Sequence, residues 1–237
     1  RESGILAVTM TGELADCFET RRQGVTHILE HVERACAGWQ VHVYSVDGEF
    51  LDPSTARQRP WRVAASNWHA LGMWLAKAAV APAWLADSAA GEQRLLVDVG
   101  STTVDIIPLN EHGVATPATN DRQRLQLGQL VYTGMQRTPV AAILRAVQLD
   151  GRPCPLMAER FATSDDAYLV LGLVPEVPAD LDTADGRPRT TACARARLAR
   201  MIGEDLESLD VADIEGIADQ VIDSQVEQIS EAIDRDL

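Results

Sequence analysis

Arg94-Leu95-Leu96-Val97-Asp98-Val99-Gly100-Ser101-Thr102-Thr103-Val104-Asp105-Ile106-Ile107-Pro108-Leu109 is the stretch that decides the fold. Two runs rich in Val, Ile and Leu flank Gly-Ser-Thr-Thr, which predicts a strand, a tight turn and a second strand. Successive backbone N–H groups and three hydroxyls converge on that bend, and Gly100 carries no side chain to obstruct an approaching anion. Gly100, Ser101, Thr102 and Thr103 are therefore candidate phosphate-binding residues. Asp98 ends the first strand and Asp105 enters the second. Carboxylates beside a phosphate commonly hold Mg²⁺, so these two are candidate metal ligands. On spacing alone, an ordinary hairpin with turn-forming Ser and Thr competes evenly with this reading.

Upstream, Gly4 to Met10 reads as a buried strand ending in a polar turn, Thr11 to Asp16. Apolar residues at 25, 28, 29, 32 and 36 predict a helix, and Val41 to Ser45 alternates as a strand. Residues 51–60 read as a loop, and Ala64 to Val80 as a helix followed by a small-residue link to Gly91. Downstream, Asn110 to Gly113 turns into a short strand near Val114. Beyond it, Leu127 to Thr133 precedes a helix predicted from Pro139 to Val147, a strand from Leu169 to Val174 and a helix from Ala194 to Ile202. Apolar positions 214, 217, 221, 222, 226, 229 and 233 make the tail an amphipathic helix. The alternation of strands and helices gives the class α/β. Three segments are expected: residues 1–60, a helical connection at 61–93, and 94–237 with the phosphate loop.

The chain holds 35 Asp and Glu against 21 Lys and Arg, a formal charge of -14. That field repels nucleic acid and anionic lipid, and excludes both as expected partners. An anionic small molecule then needs local donors. Arg137 after Thr133-Gly134, and Arg122, are the candidate cations, since guanidinium suits bidentate phosphate contact; Gly134 joins the phosphate set. Each arginine is weighed against the ordinary fate of a surface arginine, pairing with an acid. Glu13 and Asp121 are candidate catalytic carboxylates, Glu13 because it stands at a strand end, where α/β folds place ligands. Local helix capping competes for Asp16 and, less, for Glu13.

Asp165-Asp166 is an adjacent pair of which only one member is expected to face a site, with helix N-terminal capping the simpler reading. His27-Ile28-Leu29-Glu30-His31 spells an inverted zinc-peptidase motif, but both His fall on the outward side of a helix with no third ligand, and zinc is declined. Trp61, Trp68 and Trp74 read as packing residues, with Trp61 in the loop. Four scattered cysteines without a Cys-x-x-Cys pair point to reduced thiols and a cytoplasmic protein. No apolar run reaches a membrane span.

Residues 97–105 resemble the second phosphate loop of the actin, acetate/sugar-kinase and heat-shock chaperone superfamily, and more narrowly its hydantoinase/oxoprolinase-like branch. Further blocks strengthen the likeness: Met10-Thr11-Gly12-Glu13-Leu14-Ala15-Asp16, Ala65-Ser66-Asn67-Trp68, and Leu130-Val131-Tyr132-Thr133-Gly134 with Arg137-Thr138-Pro139. Glu159 to Thr163 and Thr183 to Pro188 extend it, so that the match runs from about Val8 to Arg200. These blocks are similar to proteins linked to tetrahydromethanopterin-dependent one-carbon transfer. The resemblance implies a ribonuclease H-like, two-lobed fold whose first lobe lacks its N-terminal strands here, since no Asp-x-Gly-Gly-like loop precedes residue 4. Either that loop was left out of the sequence or the chain lacks half of its grip; unpaired strand edges favour the former.

The resemblance also implies a methylofuran-type biosynthetic transferase. Such an enzyme joins an aminomethylfuran-methyl diphosphate to a tyramine-derived phenol with loss of diphosphate, using Mg²⁺. A kinase or oxoprolinase-like enzyme using ATP, and a non-catalytic nucleotide-binding protein, are the alternatives. The expected partner is a phosphorylated small molecule, and a homodimer is compatible with the sequence.

Overall fold

The computed structural model describes residues 3–77 and 94–236. The predicted link before Gly91, and the end of the helix predicted to reach Val80, lie outside the described residues. The chain is mixed α/β and divides into two compact units. The first comprises Arg1–Val97 with Ile106–Leu130, and the second Asp98–Asp105 with Val131–Asp236. The 94–110 hairpin thus has its base in the first unit and its tip in the second.

In the first unit, β1 (Ile5–Val8) pairs in parallel with β2 (Gln40–Tyr44), and β3 (Phe50–Leu51) pairs antiparallel with β2. The connection from β1 to β2 carries α1 (Arg21–Ala35), as a parallel pair requires a long crossover. Thr20 caps α1 by accepting the Gln23 N–H, so the cap falls there and not at Asp16, which sits exposed in the preceding turn. The predicted stripe holds: Val25 and Leu29 are fully buried, and Ile28 and Val32 pack against the same core with Val41, Val43, Leu51 and Val63. Burying side chains of this kind contributes roughly 1.5–3 kcal/mol each.

Residues 51–60 are not a loop. Asp52 accepts the N–H groups of Ser54 and Thr55 and starts α2 (Pro53–Gln58), followed by α3 (Pro60–Val63), each with proline in its first turn. Polar composition hid two helices whose signals are an Asx cap and two prolines. Trp61 therefore lies on α3, exposed, rather than in a loop. The next helix, α4 (Asn67–Lys77), begins three residues later than predicted.

Strands β4 (Arg94–Val99) and β5 (Val104–Asn110) form the expected hairpin, with β6 (Gly113–Val114) on the other side of β5 and β7 (Leu130–Val131) also paired to β5. Helix α5 (Asp121–Leu127) intervenes, capped by Asn120 and ended by Gly128 in the left-handed region, φ 79°. Trp68 is buried against Ile107 and Leu109, with the Arg124 guanidinium 4.2 Å from its ring centroid.

The second unit adds α6 (Val140–Ile143), the hairpin β8 (Ala146–Leu149) and β9 (Arg152–Pro155), α7 (Ser164–Val170), α8 (Thr191–Arg200) and α9 (Val211–Asp236). Two expectations fail here. The helix predicted over 139–147 stops at Ile143 and becomes β8, and the strand predicted over 169–174 is the end of α7 and its turn. Short apolar runs carry no period, and the capping box joining Thr163 and Asp166 commits the second segment to helix. The tail helix forms as predicted, with Ile214, Ile217 and Val221 buried, but Val226 points outward and polar Gln225 takes the inward position. Among the described residues, no helix is long and apolar enough to cross a membrane, and all four cysteines are free thiols.

Candidate functional site

The hairpin tip is built so that its carbonyls and amides face different duties. The Gly100 N–H closes the bend by donating to the Thr103 carbonyl at 2.9 Å. The Gly100 carbonyl accepts from Met135 N–H at 3.0 Å. The Ser101 carbonyl accepts from Gln136 and Arg137 at 3.0 and 2.9 Å. No group among the described residues accepts the N–H of Ser101, Thr102 or Thr103. Ser101 is exposed, and Thr102 and Thr103 are half-buried. Three consecutive amides without acceptors among the described residues, with two hydroxyls 3.5 Å apart at Ser101 and Thr102, are a donor set of the kind that binds an anion.

The segment after β7 holds this tip in place. A Cβ on Gly134 would lie 2.5 Å from both the N and the C of Thr102, so only glycine allows the Thr102 backbone this close. The Gly134 N–H donates to Thr138 Oγ1, and its carbonyl accepts from Ser164 Oγ and Gln225 Nε2. Gly134 therefore has no amide left for phosphate and serves the loop by supporting it. Gln225 also donates to Thr133 Oγ1 at 2.7 Å. The apolar periodicity of α9 marked 226 and missed this inward glutamine. Its one visible signal is the four-residue step from Val221, which returns to the buried face at 225.

Arg137 is exposed beside the tip, its backbone N–H on the Ser101 carbonyl, and Arg122 stands exposed on α5 in the first unit. The Gly100–Thr103 bond sets the hairpin register so that Asp98 lies across from Asp105. Asp105 already engages a partner within the protein; Mg²⁺ takes one or two carboxylates plus phosphate oxygens, and two carboxylates placed this way are of the kind it uses. Among the described residues no group of three or more His, Cys, Asp or Glu could hold a metal ion by itself. A cation at Asp98 and Asp105 would therefore need the ligand's oxygens to complete its shell.

In the first unit, Arg21 brings together the two candidate catalytic carboxylates, 108 residues apart in sequence. Its Nη2 donates to Asp121 Oδ2 at 3.1 Å, and its Nε lies 3.9 Å from Glu13 Oε1. Arg21 opens α1 and Asp121 opens α5, so two helix starts position the pair. Glu13 is 1% exposed, and its Oε2 has no hydrogen-bond partner among the described residues. A Cβ on Gly24 would stand 2.1 Å from the Glu13 carbonyl oxygen, which pins that backbone against α1. Arg21 carries no local sequence signal of a site residue, since both of its partners lie on other elements.

Asp165 and Asp166 prove to be both buried. Asp165 takes Arg189 bidentately, from Nε at 2.7 Å and Nη2 at 2.6 Å. Asp166 receives Arg197 Nε at 2.7 Å, and Arg197 Nη1 continues to Asp185 at 3.1 Å. Both stand in the first turn of α7 and Asp166 completes its capping box, as the helix N-terminal reading expected; consecutive side chains there diverge by about 100°, and each meets a different arginine. His27 and His31 stack on the exposed side of α1, ring centroids 4.1 Å apart, and His31 Nδ1 is 2.8 Å from the His27 carbonyl.

A model of the hydantoinase/oxoprolinase family matches residues 5–236. The chain belongs to that family. It is 34% identical over 229 residues to the (4-{4-[2-(gamma-L-glutamylamino)ethyl]phenoxymethyl}furan-2-yl)methanamine synthase of Methanocaldococcus jannaschii, covering 97% of this chain and 66% of that protein. It is 32% identical over 124 residues to the Methanococcus vannielii synthase of the same name, covering 52% of this chain and 55% of that one. The chain thus spans about two thirds or less of the length of these relatives.

Proposed function

We propose that this member of the hydantoinase/oxoprolinase family binds the diphosphate of an ether-forming synthase in methylofuran-type biosynthesis. The Ser101–Thr103 loop receives a furan-methyl diphosphate, and a tyramine-derived phenol is the acceptor. The observation that carries the reading is the run of three amides without chain acceptors, backed by Gly134. The relatives are named for the synthesis of a phenoxymethyl furan ether, which agrees with it. The two-lobed actin/sugar-kinase-type fold belongs to the same proposal, as does the division into a first lobe, a helical connection and a second lobe.

In the reaction, the phenol oxygen forms a bond to the furan-methyl carbon while the carbon–oxygen bond to diphosphate breaks. The electron pair leaves on diphosphate, and the phenol proton passes to a carboxylate, for which Glu13 is proposed. Asp121 shares Arg21 with it. The furan-methyl carbon tolerates positive charge, so the demand on the protein is to stabilise the departing anion. Donors aimed at that charge meet the demand, with Arg137 and Arg122 as the proposed cations. Mg²⁺, when bound at Asp98 and Asp105, would supply further charge to the leaving group.

Thr102→Val removes one hydroxyl beside the loop amides while keeping its shape. Turnover, followed as diphosphate release by mass spectrometry, should fall on the order of 100-fold or more if that donor faces the leaving group. Near-normal turnover, or a strict requirement for ATP, would overturn the reading.

A further inference from the structure

Residues 134–137 lie along the tip of the 94–110 hairpin and decide which way its peptides face. The Gly100 carbonyl takes the Met135 N–H, and the Ser101 carbonyl takes those of Gln136 and Arg137. In a trans peptide the N–H that follows a carbonyl points the opposite way. These bonds therefore turn the Ser101 and Thr102 amides away from residues 134–137. The placement of that segment is set in turn at Gly134, whose missing Cβ lets it close on the Thr102 backbone. Three buried side chains hold Gly134. Thr138 Oγ1 accepts its N–H at 2.9 Å, and Ser164 Oγ and Gln225 Nε2 donate to its carbonyl at 2.7 and 3.0 Å.

Gln225 differs from the other two. Ser164 opens α7, and its N–H donates to the Thr138 carbonyl at 2.8 Å, so both residues also serve the folding of their own segments. The side chain of Gln225 gives its two hydrogen bonds to Thr133 and Gly134 alone. It is 2% exposed on a helix whose other buried residues are Ile214, Ile217, Ala218, Val221 and Ala232, and its Oε1 has no hydrogen-bond partner among the described residues. Burying an amide with one end unsatisfied carries a desolvation cost that a methionine of similar length avoids. Groups kept at that cost mark places where a fold serves function before stability. Two further glutamines fix the helix that carries it: Gln220 takes the N–H and carbonyl of Gln148 on β8, and Gln228 donates to the Ile143 carbonyl at the end of α6. We propose that Gln225 is a positioning residue, which through Gly134 sets the Thr102 backbone and so aims the loop amides at the diphosphate. This rests on the functional reading above and adds to it the side chain that orients the loop. Hydrogen bonds weaken steeply as the donor turns off line, so a small displacement of Gly134 is felt at the anion.

The test titrates the full chain with inorganic diphosphate and follows the backbone amide resonances of Ser101, Thr102 and Thr103 by NMR. In the wild type these resonances should move on binding. Gln225→Met should weaken the affinity about tenfold or more, the scale of one charge-assisted hydrogen bond, and displace the Ser101 and Thr102 resonances before any diphosphate is added. Val221→Ala, one turn earlier on the same buried face, should lower the urea midpoint while leaving affinity and resonances as they are. Gln225→Glu supplies a second variant that matches the amide in shape. Burial raises the pKa of its carboxyl, and only the protonated form can donate. Its affinity relative to the wild type should therefore recover as pH falls from about 8 to about 5. A Gln225→Met affinity within about twofold of the wild type, an equal loss in Val221→Ala, or a flat ratio for Gln225→Glu overturns the positioning role and leaves the diphosphate reading standing. No binding by the wild type, or binding that leaves the three amides unmoved, overturns the functional reading and the role of Gln225 together.

Discussion

Two arginine–carboxylate clusters, one in each unit, are built from the same chemistry to opposite ends. In the second unit, Arg197 has no exposed side-chain surface and bridges Asp166 and Asp185. Arg189 meets Asp165 through two short bonds. In the first unit, Arg21 is 31% exposed and reaches Glu13 only at 3.9 Å, and Glu13 Oε2 has no donor among the described residues. The first cluster keeps a carboxylate oxygen in reserve, and the second has spent its carboxylates on holding α7 and α8 together. Free capacity, more than the presence of charge, separates a candidate for chemistry from a fastening.

The comparison is broken most forcefully at Arg197. Arg197→Ala leaves Asp166 buried without its cation, which should destabilise the protein by about 3–5 kcal/mol. Replacing the pair together, Arg197→Met with Asp166→Leu, should recover most of that loss, since apolar groups of similar volume substitute well for a buried ion pair. Urea unfolding of the single and double variants measures both. A single variant within error of the wild type would show that the pair holds nothing.

The opposite cluster should respond in activity and not in stability. Glu13→Gln keeps the shape and removes the basic oxygen, so turnover should fall about 100-fold or more, the ordinary contribution of a positioned base. The urea midpoint should move little. Equal losses in activity and stability would make Glu13 another fastening, and the contrast between the units would collapse.

How far the sequence disclosed these features depended on whether the signal was local. The hairpin at 94–110 was legible because its two strands and its turn lie within one short stretch, and the face of α1 was legible because Val25, Ile28, Leu29 and Val32 repeat at helical spacing. Glu13 and Asp121 could be named as single carboxylates, but nothing in the sequence joined them, since the connection runs through Arg21 on a third element. The same limit hid the pairing of Asp165 with Arg189 and of Asp166 with Arg197, 24 and 31 residues apart. Helices α2 and α3 were lost for a different reason. Their polar residues give no apolar stripe, and Asp52 as a cap is convincing only once the chain after it is seen to coil.

A smaller effect sharpens the contrast between held and available groups, at a third polar pair. Tyr44 Oη lies 2.9 Å from His69 Nδ1 in the first unit. Burial holds the pKa of His69 below the usual 6.5, against the opposing charge of Asp47. The unfolded chain therefore takes up a proton at this position more readily than the folded one. Stability from His69 is complete above the unfolded pKa of about 6.5 and is lost as pH falls from there through the lower folded value. His69→Gln removes the titration, so its melting temperature should fall less steeply than that of the wild type between pH 7 and pH 5. The two curves should diverge by a few degrees at most, since about 1 kcal/mol moves a domain of this size by roughly 2–4 °C. Parallel curves would mean that the imidazole titrates alike in both states and that burial of the Tyr44–His69 pair does not bear on its proton.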